Sequence, residues 1–380
     1  MPGTVLIAGA GIGGLALANG LRKAGIAVEV FEREPSIFAR GPGYRINMRP
    51  DGGQALLDCL PANLGQLYLA TSNRHSRPRI AGYDHHLREL FTTELPAPPD
   101  PDRSHTSVDR LLLRQILLAG VADSVRFGRQ VLGATQDEHG VEVHFADGGS
   151  ARGDVLVAAD GAQSVLRRQF LPEAEILDLP VRCVWAKTRI PDGPADWVPD
   201  AVRNRYSGVF GPHGDQLMIG IFQPRQPIPA AVAQFAPHAR ITPIEDYLMW
   251  VYMGEGELPD AVAGWHPSLR RLVEQVDPGT VLPVGIRVAG SIPVWQPSRI
   301  TYLGDAIHVM SPAGGSGANT ALRDAADLAA ALADATDPRA AIAGYDERLR
   351  ARGERAVSDS LLYGEQFAAH LQSGKDNAHA

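Results

Sequence analysis

The chain has few cysteines, no basic excess and no long apolar run, and each absence removes a class of function. Cys59 and Cys183 are the only cysteines in 380 residues. Two isolated thiols cannot staple a small scaffold or supply paired metal ligands, so a reducing, cytoplasmic setting fits best and no metal site is expected. A formal net charge of −7 argues against nucleic acid as a partner, because a phosphate-facing surface needs a basic balance. Arg74, His75, Arg77 and Arg79 form one small basic cluster, which in an acidic chain reads as a solvated loop. No apolar run reaches the roughly 18 residues a membrane span requires. The apolar N-terminus lacks a basic leader and is broken by glycines, unlike a signal peptide. At 44% hydrophobic and 21% charged residues the composition is that of a soluble globular protein, and the length makes two domains the default expectation.

What is present starts at once. Val5-Leu6-Ile7-Ala8 reads as a strand and runs into Gly9-Ala10-Gly11-Ile12-Gly13-Gly14, a GxGxxG on Gly9, Gly11 and Gly14 with Gly13 inside it. Gly9 permits a tight turn, Gly11 lets backbone approach a pyrophosphate, and Gly14 allows helix to pack on strand. The following helix, Leu15 to Lys23, offers its positive N-terminal end to phosphate and is closed by Gly25. Ala27 to Phe31 is the second strand, and Glu32 stands at its end with Arg33 beside it. A carboxylate there accepts hydrogen bonds from ribose hydroxyls and repels a 2′-phosphate, which favours FAD or NAD at this site. The motif fixes a nucleotide without identifying it.

Two further motifs lie far downstream. Residues 154–161 form an apolar strand running into Asp160-Gly161, a pair that alone reads equally as a turn; Arg167 and Arg168 follow. Before it, Val131–Asp137 and Val141–Phe145 read as a hairpin around Glu138-His139-Gly140, with Asp147-Gly148-Gly149 as the next turn. Ile300 to Leu303 is a short strand leading into Gly304-Asp305. Pro312-Ala313-Gly314-Gly315-Ser316-Gly317-Ala318-Asn319 then feeds a helix carrying Leu322, Asp324, Ala325 and Leu328. A glycine-rich loop at a helix start exposes backbone N–H groups a second time. Two anion-tolerant helix ends and one acid at a strand end suit an extended cofactor such as FAD.

In this order, the GxGxxG, Glu32, Asp160-Gly161 and Gly304-Asp305 resemble the single-component FAD-dependent aromatic hydroxylases, the class A flavoprotein monooxygenases, over nearly the whole chain. Gly304 to Ala325 is especially similar to the tetracycline-inactivating members. The resemblance implies an α/β fold: a Rossmann-like FAD-binding domain of the para-hydroxybenzoate hydroxylase type, a mainly β-sheet substrate domain and a C-terminal bracing helix. The expected division is 1–70, 100–178 and 283–336 for FAD, 71–99 and 179–282 for substrate, and 337–380 for the terminal helical segment. It implies that Asp305 binds the ribitol hydroxyls, that Asp160 serves FAD and NAD(P)H, and that Pro312, Gly315, Gly317, Ala318 and Asn319 lie beside the isoalloxazine. Arg110, in Ser107-Val108-Asp109-Arg110 with Ser107 read as N-cap, matches an arginine that contacts the cofactor. Arg45 and Asn47, in Gly43-Tyr44-Arg45-Ile46-Asn47, match the loop approaching the flavin from the other side. His308 matches a histidine without a general-base role and reads as structural, and no side chain is assigned as catalytic.

Between Val181 and Val288 the texture changes to alternating segments: Val181–Ile190, Arg205–Phe210 and Gln216–Phe222 read as strands of a roof over the flavin. Phe210, Met218, Ile219, Phe222 and Trp250 are candidate cavity residues or plain core. Pro96–Pro101 reads as a loop back to the first domain, and 339–371 as one or two helices. The implied chemistry is reduction of FAD by NAD(P)H, addition of O2 at the flavin C4a position, and oxygen transfer from the hydroperoxide to an aromatic or polyketide-type small molecule of secondary metabolism. Ala313 stands where tetracycline-inactivating enzymes tend to have an aromatic, so tetracycline is not carried over. A flavin oxidoreductase without oxygen insertion is the alternative. A halogenase lacks support because its Trp-x-Trp-x-Ile-Pro signature is missing, and a non-enzymatic FAD- or NAD-binding regulator leaves the flavin loop unexplained.

Overall fold

Val5, Leu6 and Ile7 are wholly buried. A strand apolar on both faces is stable only inside a sheet covered on both sides, and Thr4–Ala8 takes that place. In the computed structural model, which describes residues 3–39, 41, 43–74, 79–94, 104–190, 196–203, 206–254 and 256–377, it is the middle of a five-stranded parallel sheet. The order is Ile300–Tyr302, Val155–Ala158, Thr4–Ala8, Ala27–Glu32, Val125–Phe127. His75, Arg77 and the Pro96–Pro101 loop lie outside the described residues. Helix Ile12–Lys23 follows the first strand and ends before Gly25, whose φ of +78° suits glycine. Helix Gly317–Ala333 buries Leu322, Leu328 and Leu332 in the same core. The expected hairpin is present as Val131–Gln136 and Val141–Phe145, extended by Ser150–Gly153, and Phe145 packs on Phe31 with centroids 4.7 Å apart.

The second layer is a seven-stranded mixed sheet. Its order is Leu282–Ala289, Ile176–Arg189, Tyr247–Met253, Gln216–Phe222, Tyr206–Phe210, Arg79–Asp84, Glu89–Glu94. Strand alternation splits its side chains between two cores. Met218, Phe222, Tyr247, Met249 and Val251 join the core of the first layer. Leu217, Ile219, Ile221, Leu248, Trp250 and Tyr252 join a separate core under helix Pro267–Glu274. Ile219 and Trp250 therefore face away from the first layer, which removes both as cavity residues; Trp250 donates its Nε1–H to Thr188 Oγ1 at 3.1 Å. The boundary read at 178/179 falls at a register shift between Asp178 and Arg182 in the pairing of strand Ile176–Arg189 with strand Leu282–Ala289, and the one read at 282/283 falls one residue into the second strand.

The two layers meet at a short ladder, Arg45–Ile46 against Val108–Asp109. Asp109, not Ser107, caps helix Arg110–Ala119: pairing in that ladder keeps 108–109 extended, so the helix starts two residues later than a Ser107 cap allows. Asp109 Oδ1 accepts from Leu111 N at 2.8 Å and Leu112 N at 3.1 Å. Its Oδ2 accepts from Lys187 Nζ at 2.9 Å and Tyr247 Oη at 2.8 Å. One buried carboxylate thus joins a helix of the first layer to two strands of the second. A single helix, Pro338–Asn377, then braces the first layer, with Ile342, Tyr345 and Leu349 fully buried and Tyr345 Oη donating to Tyr302 O at 2.9 Å. No helix among the described residues is long and apolar enough to cross a membrane.

Asp109→Ala should cost about 3–5 kcal/mol, the range for breaking a buried ion pair, with the lost cap contributing to it. Asp109→Asn keeps an acceptor for the cap and should cost less. Urea denaturation measures both, and a wild-type midpoint for Asp109→Ala would refute the joining role.

Candidate cofactor and active site

The glycine loop is built by close approach. Gly9 has φ +108°, and a Cβ there would lie 2.4 Å from Ala159 O; one on Gly14 would lie 2.2 Å from Gly9 O. Around Gly11 nothing lies within 4 Å, so the middle glycine faces open space at the helix start, where N–H groups have no intrahelical partner. Gly13 turns inward, towards Leu303 and Ala321, and serves packing. Glu32, 4% exposed, accepts from Ala10 N at 2.9 Å and Glu34 N at 3.1 Å, so the acid is pinned to the loop. Gly9, Gly11, Glu32, Arg33, Arg129 and Asp160 line one groove.

Asp160 and Gly304 follow adjacent parallel strands at their C-terminal ends, the edge at which open α/β sheets bind ligands. Asp160 Oδ2 accepts from Val165 N at 2.9 Å. Its Oδ1 is buried without a partner among the described residues, and burial raises the carboxyl's pKa. Gly304 has φ +62°, its N–H donates to Asp324 Oδ2 at 3.1 Å, and Asp305 is left exposed at the start of helix Asp305–His308. Arg167 Nη1 donates to Ala306 O at 2.8 Å and Nη2 to Ala162 O at 3.0 Å, joining the two motifs.

The loop of 312–319 leaves Pro312 and Ala313 exposed and turns at Gly315, φ +59°, into Gly317 and Ala318 at the first turn of the next helix. Asn319 is buried and its amide is spent on backbone: Nδ2 donates to Asn47 O at 2.9 Å and Gly315 O at 3.0 Å, and Oδ1 accepts from Arg49 N at 2.8 Å. Its side chain therefore welds two loops. Asn47 itself is exposed, with its Cβ 3.7 Å from the Cβ position of Gly315. Arg110 is half-buried at the ladder and donates its N–H to Tyr44 O at 2.9 Å. Arg45 sends its guanidinium to the roof, 5.7 Å from the Tyr206 centroid. Phe210 is half-buried beside Phe91, centroids 6.3 Å apart. Met218 is 6% exposed, and Phe222 is fully buried, stacked on Tyr247 at 5.2 Å. Phe222 is on the expected face but covered.

Sequence reasoning missed Arg114 and Tyr363, and named Arg167 without giving it a role. Arg114, 1% exposed, donates from Nε and Nη2 to Ala10 O at 3.3 and 3.1 Å and from Nη1 to Ile37 O at 3.2 Å, clamping the glycine loop. Its signal was a lone arginine within the apolar run Leu111–Leu118. Tyr363 of the terminal helix lies against the flavin loop, with Cδ2 3.0 Å from the Cβ position of Gly314. The open space at Gly11, the unpartnered Asp160 Oδ1 and the exposed Asp305 carboxylate fit an extended dinucleotide such as FAD.

His308 is a brace. It is fully buried, with Nε2 2.6 Å from Asp324 Oδ2, while Asp324 Oδ1 accepts from Arg352 Nε at 2.8 Å. Burial opposes its protonation, but Asp324 and Asp305 outweigh it and the pKa is raised. Burial likewise opposes ionisation of Asp324, but His308 and Arg352 hold its pKa below the usual carboxylate value.

This arrangement is that of a flavin-binding hydroxylase fold. The chain belongs to the FAD binding domain family, whose profile matches residues 3–203 and 271–360. It is 33% identical, over 85% of its length and 39% of the other chain, to the dual O-methyltransferase/FAD-dependent monooxygenase elcB of Phaeosphaeria nodorum. It is 30% identical to the aurachin C monooxygenase/isomerase of Stigmatella aurantiaca, over 95% and 89% of the two chains. A solved chain from Photorhabdus luminescens subsp. laumondii, provisionally assigned as an FAD-containing monooxygenase, superposes with a TM-score of 0.78 at 32% identity, covering 97% of this chain and 99% of that one. The chain spans 39–45% of the length of the fungal dual-function relatives it matches. These relatives do not show the finer likeness to tetracycline-inactivating enzymes.

Two outcomes follow from this geometry. Glu32→Gln and Asp305→Ala should each weaken FAD binding about tenfold or more, the effect of losing a hydrogen bond to a charged group; flavin fluorescence on dilution reads it, and undiminished retention would refute the assignment. A histidine with a raised folded-state pKa stabilises the fold fully below its ordinary value near 6.5, and the contribution is lost as pH rises through the raised value. Asp324, with a lowered pKa, contributes above the ordinary value near 3.9 and loses its contribution as pH falls through the lowered one. The Tm gap between wild type and His308→Gln should therefore be widest between about pH 4 and 6.5 and shrink on the alkaline side. A gap independent of pH would refute an ion-paired brace.

Proposed function

We propose that this protein is an FAD-dependent monooxygenase that uses NAD(P)H and O2 to hydroxylate an aromatic or polyketide-type small molecule in the cytoplasm. The observation that carries the reading is the convergence of three distant motifs, around Gly11, Asp160 and Gly304, on one edge of the parallel sheet, with a second sheet laid over the adjoining ladder. Bound FAD would supply the redox chemistry, taking electrons from the nicotinamide and activating O2. The chain's own work is to bind, orient and shield.

The N–H groups after Gly11 hold the pyrophosphate, Glu32 the adenosine ribose and Asp305 the ribitol. Arg33, Asp160 and Arg110 complete the cofactor contacts. The loop from Pro312 to Ala318 offers backbone N–H groups to the polar edge of the ring system, where negative charge collects on reduction; such donors are worth about 2.7–4 kcal/mol each in other enzymes. Ala313 leaves space beside that ring. Phe210 and Met218, on the sheet face turned to the first layer, give an apolar cover that excludes water. Aurachin C belongs to the relative that bears its name; the substrate class proposed here rests on the apolar roof face.

The test is turnover of the purified, FAD-loaded protein with NADH or NADPH and a panel of polycyclic phenols under isotopically labelled O2. Substrate-stimulated NAD(P)H consumption and a product carrying one labelled oxygen are expected. Oxidised products that never carry label would refute the monooxygenase reading in favour of a simple flavin oxidoreductase.

A further inference from the structure

Among the described residues, the buried cations near the ladder have partners except Arg45. Lys187 is neutralised by Asp109, and Arg114 is bonded to backbone carbonyls. Arg167 and Arg299 each have a buried Nε without a hydrogen-bond partner among the described residues, yet each donates another N–H to a carbonyl. Arg45 has a buried Nε without a partner, and no hydrogen bond or ion pair of its guanidinium occurs among the described residues. Its ladder partner is Asp109, but that carboxylate is committed to Lys187, Tyr247 and two helix N–H groups. A cation left inside a protein without an anion is costly, so the position calls for a reason.

The sheet is cut to receive it. A Cβ on Gly220 would lie 2.6 Å from Arg45 Nη1, so a larger residue there would push the guanidinium from its present place. Gly220 pairs with Tyr206 across the ladder of the roof sheet, and the Tyr206 ring stands 5.7 Å from the guanidinium carbon. Arg45 and Tyr206 both keep part of their surface uncovered, so the layers do not close on each other here. Burial pulls the Arg45 pKa down, and the nearby Tyr206 and Tyr247 phenols only partly offset it. An anion seated here recovers the missing attraction. The neighbouring positions of this face are apolar or aromatic, with Met218 and Phe210 two and four residues along, which suits a flat ring carrying one charged oxygen.

We propose that Arg45 is the specificity-determining residue of the roof, receiving an ionised phenol or enol oxygen of the substrate in the notch made by Gly220 and flanked by Tyr206. The proposal rests on the monooxygenase reading for the identity of the site. It adds that the substrate binds as its oxyanion. An ionised oxygen conjugated to the ring raises electron density at the ortho and para carbons, where an electrophilic oxygen donor attacks. The positive field of the guanidinium favours the ionised form of the bound ligand. It makes Arg45 a residue for substrate, where the sequence had suggested the cofactor.

The test titrates FAD-loaded protein, without NAD(P)H, with alizarin, whose absorbance shifts to the red on ionisation, and with alizarin dimethyl ether, which cannot ionise. At a pH about one unit below the free dye's own pKa, wild type should bind alizarin as the red-shifted anion and at least about tenfold more tightly than the ether. Arg45→Gln should lose the red shift and that preference while binding the ether as wild type does. Gly220→Ala, which keeps the charge but displaces it, should lose most of both, and it decides the matter if Arg45→Gln does not fold. The proposal is overturned if wild type binds neither dye, binds the ether equally well, or if Arg45→Gln retains the red shift. It is also overturned if Arg45→Gln folds but comes out without FAD, since Arg45 would then be a cofactor residue. A wild-type enzyme that holds FAD and inserts labelled oxygen, yet shows no preference for the anion, refutes this inference alone; one that inserts no oxygen refutes the function while the binding comparison still stands.

Discussion

The Asp109 carboxylate is the point on which the two layers depend. One oxygen satisfies two N–H groups at the start of helix Arg110–Ala119, and the other receives the Lys187 ammonium and the Tyr247 hydroxyl from the roof. A fully buried acid costs several kcal/mol in desolvation unless its lone pairs are filled, and here four donors fill them. Those donors come from three elements, so the arrangement exists only when the layers are docked in one register. The short ladder Arg45–Ile46 with Val108–Asp109 then fixes where the 45–47 segment stands relative to the roof. Arg45 and Asn47 inherit their positions from that register.

What was legible in the sequence is what is local. The glycine loop, Glu32, the 131–145 hairpin and Gly304-Asp305 each declare themselves within a few residues, because turn chemistry and strand alternation act over that range. The family and its FAD-binding fold followed from their order. What was not legible is convergence. Arg114 and Arg167 clamp backbone carbonyls about 104 and 139 residues away in the chain, and no short-range pattern announces such a bond. Asn319 sits inside the flavin-loop motif, yet its amide holds the 47–49 segment. Reading Ser107 as a cap failed because a two-residue ladder, invisible in sequence, kept 108–109 extended. Ile219 and Trp250 were left open between cavity and core for a simpler reason: alternation separates two faces but does not say which one the partner layer covers.

The C-terminal helix shows how a distant segment controls a site without touching its chemistry. Arg352 reaches Asp324, Asp324 holds both His308 and the Gly304 N–H, and Gly304 positions Asp305. The exposed Asp305 carboxylate is thus the last member of a chain that begins in the terminal helix. Tyr363, further along the same helix, packs on Gly314 of the flavin loop. Asp305 and the 312–319 loop are therefore both set by one element, which explains why a long helix belongs to the fold of the first layer rather than trailing from it.

Charge accounting inside the molecule separates structural cations from the one that serves a ligand. Lys187 and Arg352 lie within 3 Å of carboxylates, and Arg114 and Arg167 are bonded to carbonyls, so folding alone satisfies them. Arg45 is held in place by a glycine that makes room for it, and folding supplies no anion. A structural cation in that position would gain from a nearby acid, and Asp109, its backbone partner in the ladder, turns its carboxylate to other donors. Its commitment to Lys187 leaves the guanidinium unpaired while keeping the layers docked. The same carboxylate that closes the fold therefore leaves the Arg45 guanidinium open, and in the proposed role a ligand brings the negative oxygen that fills it.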